Sequence, residues 1–140
     1  MNKLVLIMLT IITAILVAGG ILYFTVLNTS GKENNDEPSI DEIIDHSVDI
    51  QEITTNMMSN DFIRISFKLQ ADSSKSKEEI EKRDFQIKNI IIKHLSSLTS
   101  DDLKGSEGKT KLEEDIKTKI NGILDSGQVV QVYITSSILQ

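Results

Sequence analysis

The sequence predicts an α+β domain that follows a single transmembrane helix. An uncharged apolar run near the N-terminus predicts the membrane helix. Near both ends of the remaining chain, apolar and polar residues alternate as in half-buried antiparallel strands. Between them, two segments carry apolar residues at helical spacing. The order strand, strand, helix, helix, strand predicts a small antiparallel sheet with two helices packed on one face.

The apolar run Leu4–Leu27 has 24 residues and no charged side chain. As a helix it measures about 36 Å, against about 30 Å for the hydrocarbon core of a bilayer. Because a signal peptide has an apolar region of only about 7–15 residues, an uncleaved anchor is favoured, with cleavage as the alternative. Three residues mark the beginning, middle and end of this transmembrane segment: Leu4, Leu16 and Leu27.

The few residues before the anchor decide its predicted orientation. Residues 1–3 contain Lys3 and the terminal amine, and the positive-inside rule therefore predicts a cytoplasmic N-terminus. The rest of the chain is then expected outside the cytoplasmic membrane. It is long enough for one domain of ordinary size.

Residues 28–46 are predicted to be an acidic linker with a short helix. From Glu33 to Asp61 there are nine acidic residues and no lysine or arginine. This charge predicts a solvated, self-repelling spacer, and an acidic contact for a basic partner is the alternative. Ser39 and Glu42 have the spacing of a capping box, which predicts a helix over Ile40–His46.

The domain over residues 47–140 begins with two predicted strands. In Val48–Asn56 the alternation slips between Ile50 and Ile53, which indicates a bulge or a break. Phe62–Gln70 is the clearest strand in the sequence.

Two helices and a last strand complete the predicted domain. The pattern predicts a main helix over Ser73–Leu98, a glycine-containing loop over Leu103–Lys109, a second helix over Lys111–Leu124 and a strand over Val129–Ile138. Ser76 and Glu79 form a predicted capping box on the main helix, and Phe85 and Ile92 form a second apolar flank. In the last strand, one predicted face carries Val130, Val132, Ile134 and Ile138, and the other Gln131, Tyr133, Thr135 and Ser137.

Charge and composition argue against several classes of function. After the anchor there are 21 acidic and 14 basic residues, a net charge of −7, which argues against nucleic-acid binding. The chain has no cysteine, and neither His46 nor His94 has a second ligand at metal-binding spacing. No nucleophile motif or phosphate-binding motif occurs. We therefore expect no catalytic, cofactor-binding or metal site, and no enzyme.

A set of segments in one order resembles a known family. The segments are the anchor, Glu52–Asn56, Phe62–Gln70, Lys82–Ile92, Leu95–Leu98 and Val132–Gln140. Together they resemble the flagellar basal body-associated protein FliL family over nearly the whole chain. Ser137 stands where that family usually has an aromatic residue, so a packing contact made by the aromatic ring would be weaker here.

The resemblance implies a role at the flagellar motor. It implies a single-pass membrane protein with a domain of the stomatin/prohibitin type, which forms homo-oligomeric rings around stator units. The implied role is support of the stator and of torque, and hence of flagellar rotation, swimming, swarming or chemotaxis. A general membrane scaffold and a ligand-sensing domain, both unrelated to flagella, are the alternatives. The predicted contact residues are Arg83, Lys88 and Lys93 on the main helix and Tyr133, Thr135 and Ser137 on the last strand.

Overall fold

A computed structural model describes residues 3–29 and 37–140 of the chain. The chain divides into two compact units, Met1–Glu37 and Pro38–Gln140. In the first unit, α1 covers Lys3–Thr29 and so contains the predicted anchor. Over Lys3–Phe24 it is long and apolar enough to cross a membrane, by length and composition. Apolar residues on every side of a helix are typical of a membrane span.

The second unit begins with the predicted capping box. The Glu42 N–H donates to Ser39 Oγ at 3.3 Å, and the Ser39 N–H donates to the Glu42 carboxylate at 2.9 Å. The helix that follows, α2, covers Ile40–Asp45, and His46 is its C-cap. The short helix of the linker is thus confirmed, one residue shorter than predicted. Residues 30–36 of the predicted linker lie outside the described residues.

The three predicted strands form one antiparallel sheet. Its strands are β1 (Ser47–Asn56), β2 (Phe62–Ala71) and β3 (Val129–Leu139), and β2 lies in the centre. The slip between Ile50 and Ile53 is a bulge in the β1–β2 pairing, as the sequence predicts.

The predicted faces of β3 are only partly correct, because two irregularities interrupt its pairing with β2. Phe67 pairs with Ile134 and Ser66 with Ser136, so Thr135 is an extra residue. Side chains alternate across a strand, and one extra residue reverses the faces beyond it. Ser137 therefore pairs with buried Ile65 on the core side, while Ile138 pairs with Arg64 on the opposite side.

The predicted main helix is in fact two helices. They are α3 (Ser74–Lys82) and α4 (Asp84–Ser96), and Arg83 separates them with φ −94° and ψ 12°. The Arg83 N–H still donates to the carbonyl groups of Glu79 and Ile80, which ends α3. Helical spacing continues through the break, so periodicity alone did not reveal it. The helices α3, α4 and α5, rather than the predicted two, therefore pack beside the sheet, and the short helix α2 also contacts β2.

The capping prediction for this segment is wrong as well. Ser73, not Ser76, is the N-cap, and its Oγ accepts from the Ser76 N–H at 3.3 Å. Ser76 is fully buried and its hydroxyl donates to Asp72. The Glu79 carboxylate is bound elsewhere, by the loop that leads into β3.

The second helix begins earlier than predicted. A 3₁₀ turn covers Ser100–Leu103, and α5 covers Gly105–Asn121, so most of the predicted loop is helical. Gly105 has φ +71°, a conformation that favours glycine, and it turns the chain into α5. A Cβ on Gly108 would overlap the Asp102 carbonyl oxygen. The two glycines therefore allow a tight turn and a close approach of the backbone.

The core lies between the sheet and the helices. The predicted apolar stripe of α4 is buried through Ile87, Ile91 and Leu95, and α5 contributes Leu112, Ile116 and Ile120. These side chains pack with the inner residues of β2, namely Ile63, Ile65, Phe67 and Leu69. The described residues leave the second flank of α4 exposed, since Phe85 is 71% exposed and Ile92 is 39% exposed.

Candidate functional site

Arg83, a predicted contact residue, is largely occupied by contacts within the domain. Its Nε donates to the Glu79 carboxylate at 2.8 Å and its Nη1 to the Gln86 amide oxygen at 3.1 Å. Its Nη2 pairs with Asp125. The guanidinium therefore links the α3–α4 break to the segment between α5 and β3.

The two predicted contact lysines of α4 differ in their surroundings. Lys88 pairs with Asp84, four residues earlier in α4, at 2.8 Å. Lys93 is exposed in the last turn of α4 and lines a cleft with His94 and Lys119. Of the two, Lys93 is the side chain whose charge is free for a partner, as far as the described residues show.

The predicted contact residues of β3 are all exposed, but they do not share one face. Tyr133 is 42% exposed on the side of the sheet away from the core, and its hydroxyl donates to the Gln70 amide oxygen at 3.0 Å. Thr135 is the bulged residue, and Ser137 lies on the core side at the open end of the strand.

The two sets of predicted contact residues lie apart in the fold. The helix α4 packs beside β1, whereas α5 packs beside β3, and β2 separates the two edge strands. The structure therefore presents one surface on α4 and a second surface at the edge formed by β3.

The outer edge of β3 is covered at one point and open beyond it. The Ile134 N–H points away from β2 and donates to the Glu113 carboxylate of α5 at 2.8 Å. Phe62 and Gln140 exchange two backbone hydrogen bonds of 2.8 Å. By the alternation of an antiparallel ladder, Ser137 and Leu139 then direct their N–H and C=O groups outward. Residues 135–140 are all exposed.

Sequence and exposure make this edge unusual. The strand Val129–Leu139 contains no charged residue and no proline, although natural edge strands often carry such residues to prevent pairing with another chain. Apolar side chains are also exposed at its open end: Ile138 and Leu139 on β3 itself, and Phe62, which exchanges backbone hydrogen bonds with Gln140. This combination is typical of an interaction surface.

Several structurally important residues were not identified from the sequence. The Glu79 carboxylate accepts from the N–H groups of Asp125 and Ser126, at 2.8 and 3.1 Å. These bonds, chiefly that of Asp125, and the Arg83 contact lower the pKa of Glu79 to about 2. The Asn121 amide exchanges two hydrogen bonds with the Val129 backbone. The Glu79 contacts join residues 46 and 47 positions apart, whereas the Asn121 contact joins residues eight positions apart, at the end of α5 and the start of β3. Neither contact follows from helical or strand periodicity.

Titratable groups in the domain do not form a recognisable catalytic arrangement. Among residues 3–29 and 37–140, no group of three histidine, cysteine or acidic side chains is placed to hold a metal ion. His94 Nε2 lies 3.3 Å from Asp115, and burial lowers the pKa of this histidine. Two acidic side chains of α5 make contacts outside their own helix: Glu113 with β3 and Asp115 with His94.

Comparisons with known proteins match the chain to flagellar proteins. A family model described as "Flagellar basal body-associated protein FliL" matches residues 47–140. The chain is 47% identical over 122 residues to "Flagellar protein FliL" of Bacillus subtilis (strain 168), covering 87% of this chain and 86% of that protein. It is 33% identical over 79 residues to "Flagellar protein FliL" of Aquifex aeolicus (strain VF5), covering 56% and 49%.

These matches determine the class of protein. The matched family consists of flagellar structural and accessory proteins rather than enzymes, and it gives the chain a role at the flagellar basal body. The matched range begins at the first residue of β1. The chain belongs to the flagellar basal body-associated protein FliL family.

Proposed function

We propose that this protein is a single-pass protein of the cytoplasmic membrane that associates with the flagellar stator and supports torque. The family match over residues 47–140 carries this proposal, since it assigns the domain to the basal body. The apolar helix α1 supplies a means of attachment beside membrane-embedded motor components. The N-terminus lies inside the cell and the domain outside. A scaffold or sensor unrelated to flagella loses its support, because the match is to a flagellar family.

The proposed assembly is a ring of identical copies that contact one another through the open edge of β3. Residues 47–140 carry 13 basic and 15 acidic side chains, a net charge of −2, and an uncharged edge strand brings none of these charges directly against a neighbouring copy. A ring requires a head-to-tail contact, in which the edge meets a different surface of the next copy. The exposed apolar residues around the end of β3 favour such a contact.

Single-cysteine crosslinking tests the proposed ring, because the natural chain contains no cysteine. Ser137→Cys in full-length protein should give a ladder of crosslinked species in membranes treated with a bismaleimide. Lys75→Cys, an exposed position at the start of α3, serves as the control and should remain largely monomeric. Equal ladders from the two variants, or no ladder from Ser137→Cys, would contradict a contact at the β3 edge.

Co-isolation tests the proposed partner. Tagged full-length protein, purified from gently solubilised membranes, should bring stator proteins along in amounts that exceed those of unrelated membrane proteins. Enrichment of a different membrane complex, without stator or basal-body proteins, would contradict the proposed association.

A further inference from the structure

The C-terminal parts of α4 and α5 enclose a cleft of about 390 Å³. Its walls are apolar and its rim is basic. Ile90 and Ile123 are the apolar walls, and Lys93, His94, Ser97 and Lys119 supply the polar groups. Three of the six lining residues are of basic types and none is acidic, although the chain has 21 acidic and 15 basic residues.

Both lysines of the cleft have their charges available. Many lysines of the domain are engaged with nearby carboxylates, as Lys88 is with Asp84 and Lys117 with Glu114. Neither Lys93 nor Lys119 forms an ion pair within the part of the chain that the structure describes. Both ammonium groups are exposed, so a negatively charged ligand would not have to displace an internal partner.

His94 adds a buried polar group to the cleft. Its Nε2 is buried and forms no regular hydrogen bond with a described residue, although an Asp115 carboxylate oxygen lies 3.3 Å away. Buried polar atoms in native proteins are nearly always paired, so this ring nitrogen depends on Asp115 as its one charged neighbour at that distance in the described part of the chain. Asp115, Lys119 and Lys111 of α5 are the charged groups that act on His94 across the helix interface.

Favourable charge at helix ends does not fully explain why two lysines line the same cleft. Lys93 is in the last turn of α4 and Lys119 in the last turn of α5, where positive charge is favourable. That effect operates at each helix end separately. It does not require the two lysines to converge on one cavity with apolar walls.

We propose that this cleft binds a carboxylate carried by a partner polypeptide, namely an aspartate or glutamate side chain that has an aliphatic neighbour. The carboxylate would lie between Lys93 and Lys119, and the aliphatic group between Ile90 and Ile123. A polypeptide fits better than a free small molecule, because small-molecule sites bury most of their ligand whereas the lysines and Ser97 of this cleft are exposed. The inference rests on the proposed function, and it specifies the chemical groups through which a partner polypeptide would bind.

The test uses full-length protein in detergent micelles and the peptide acetyl-Leu-Glu-Leu-amide, with acetyl-Leu-Gln-Leu-amide as the uncharged match. Imidazole NMR signals of His94 report on the cleft, and those of His46, which caps α2, report on non-specific effects. The expected result is a saturable shift of His94 alone, with binding of the glutamine peptide weaker by about tenfold. No saturable shift of His94, or equal binding of the two peptides, would overturn the proposal.

Matched charge variants complete the test. Lys93→Gln combined with Lys119→Gln should abolish the shift. Lys75→Gln combined with Lys109→Gln changes the net charge equally at exposed positions outside the cleft, and should leave the shift intact. Equal losses in both double variants would overturn a specific site. Motility separates the two proposals. If torque requires the protein but is normal with the double variant Lys93→Gln and Lys119→Gln, carboxylate binding in the cleft is refuted and the proposed function stands.

Discussion

Glu79 connects α3 to the segment that leads from α5 into β3. Its carboxylate accepts hydrogen bonds from Arg83 and from the backbone N–H groups of Asp125 and Ser126. These two N–H groups lie 46 and 47 residues further along the chain, so one side chain ties α3 to a distant segment. The sequence predicted a capping box for Glu79, because its spacing from Ser76 can be read locally. The backbone donors that Glu79 actually uses lie far along the chain, and no local pattern reveals them.

Glu79 should make the stability of the domain dependent on pH. Hydrogen bonds, that from the Asp125 N–H foremost, lower its pKa from 4.5 to about 2 in the folded protein. A lowered pKa stabilises the fold above pH 4.5, and this stabilisation is lost as the pH falls from 4.5 to about 2. We expect Glu79→Gln to melt at a lower temperature at neutral pH and to show a smaller decline in melting temperature over that acidic range. An identical pH profile for the variant and the natural protein would contradict this role.

Ser137 is a second residue whose place became clear only in the structure. Because Thr135 forms a bulge, Ser137 lies opposite buried Ile65 on the core side of the sheet. An aromatic ring there would cover core residues at the open end of β3. We predict that Ser137→Phe raises the free energy of unfolding by about 1 kcal/mol. Ser136→Phe, on the opposite face, is the control, and equal effects of the two in thermal unfolding would argue against the assigned register.

At the scale of the element, α1 and α4 show the two kinds of apolar helix in this chain. The helix α1 is apolar on all sides, whereas α4 buries one stripe and exposes a flank. We predict that Leu16→Arg, in the middle of α1, costs about 2.5–3.5 kcal/mol of insertion free energy and shifts the protein out of the membrane fraction. Membrane fractionation identical to that of the natural protein would show that α1 is not the anchor.

The buried stripe of α4 makes a different prediction. Ile91 is fully buried, so Ile91→Asp places an unpaired charge in the core and should destabilise the domain by about 4 kcal/mol or more. The adjacent Ile92 is 39% exposed, and Ile92→Asp should change stability little. Circular dichroism and thermal unfolding compare the two variants. Similar melting of both would mean that the assigned faces of α4 are wrong.

The elements that the sequence predicted well are those with strong local patterns. The alternation over β2, the slip between Ile50 and Ile53 and the capping box of α2 all correspond to the structure. One error arises where a distant partner accompanies the local conformation: Arg83 interrupts a continuous helical pattern while contacting Asp125. Another error is local, because Gly108 allows the backbone to pack closely against the preceding 3₁₀ turn where a loop was expected.

At the scale of the whole molecule, the candidate surfaces were harder to predict than the fold. Exposure of Tyr133, Thr135 and Lys93 follows from alternation and helical spacing. The open edge beyond Ile134 and the cleft beside His94 depend on how α5 meets β3 and α4. The packing of one element against another cannot be predicted from a short stretch of sequence. The apolar helix α1 and the family match are consistent with a membrane-associated flagellar localisation.

Motor torque is the most direct measurement of the central claim, which is that the protein supports the flagellar stator from the membrane. Rotation of tethered cells under high load should be compared in the natural strain, a strain without the gene, and that strain supplied with the natural protein or with Leu16→Arg. We predict that torque falls on deletion, returns with the natural protein and does not return with Leu16→Arg. Unchanged torque in the deletion strain would contradict the account.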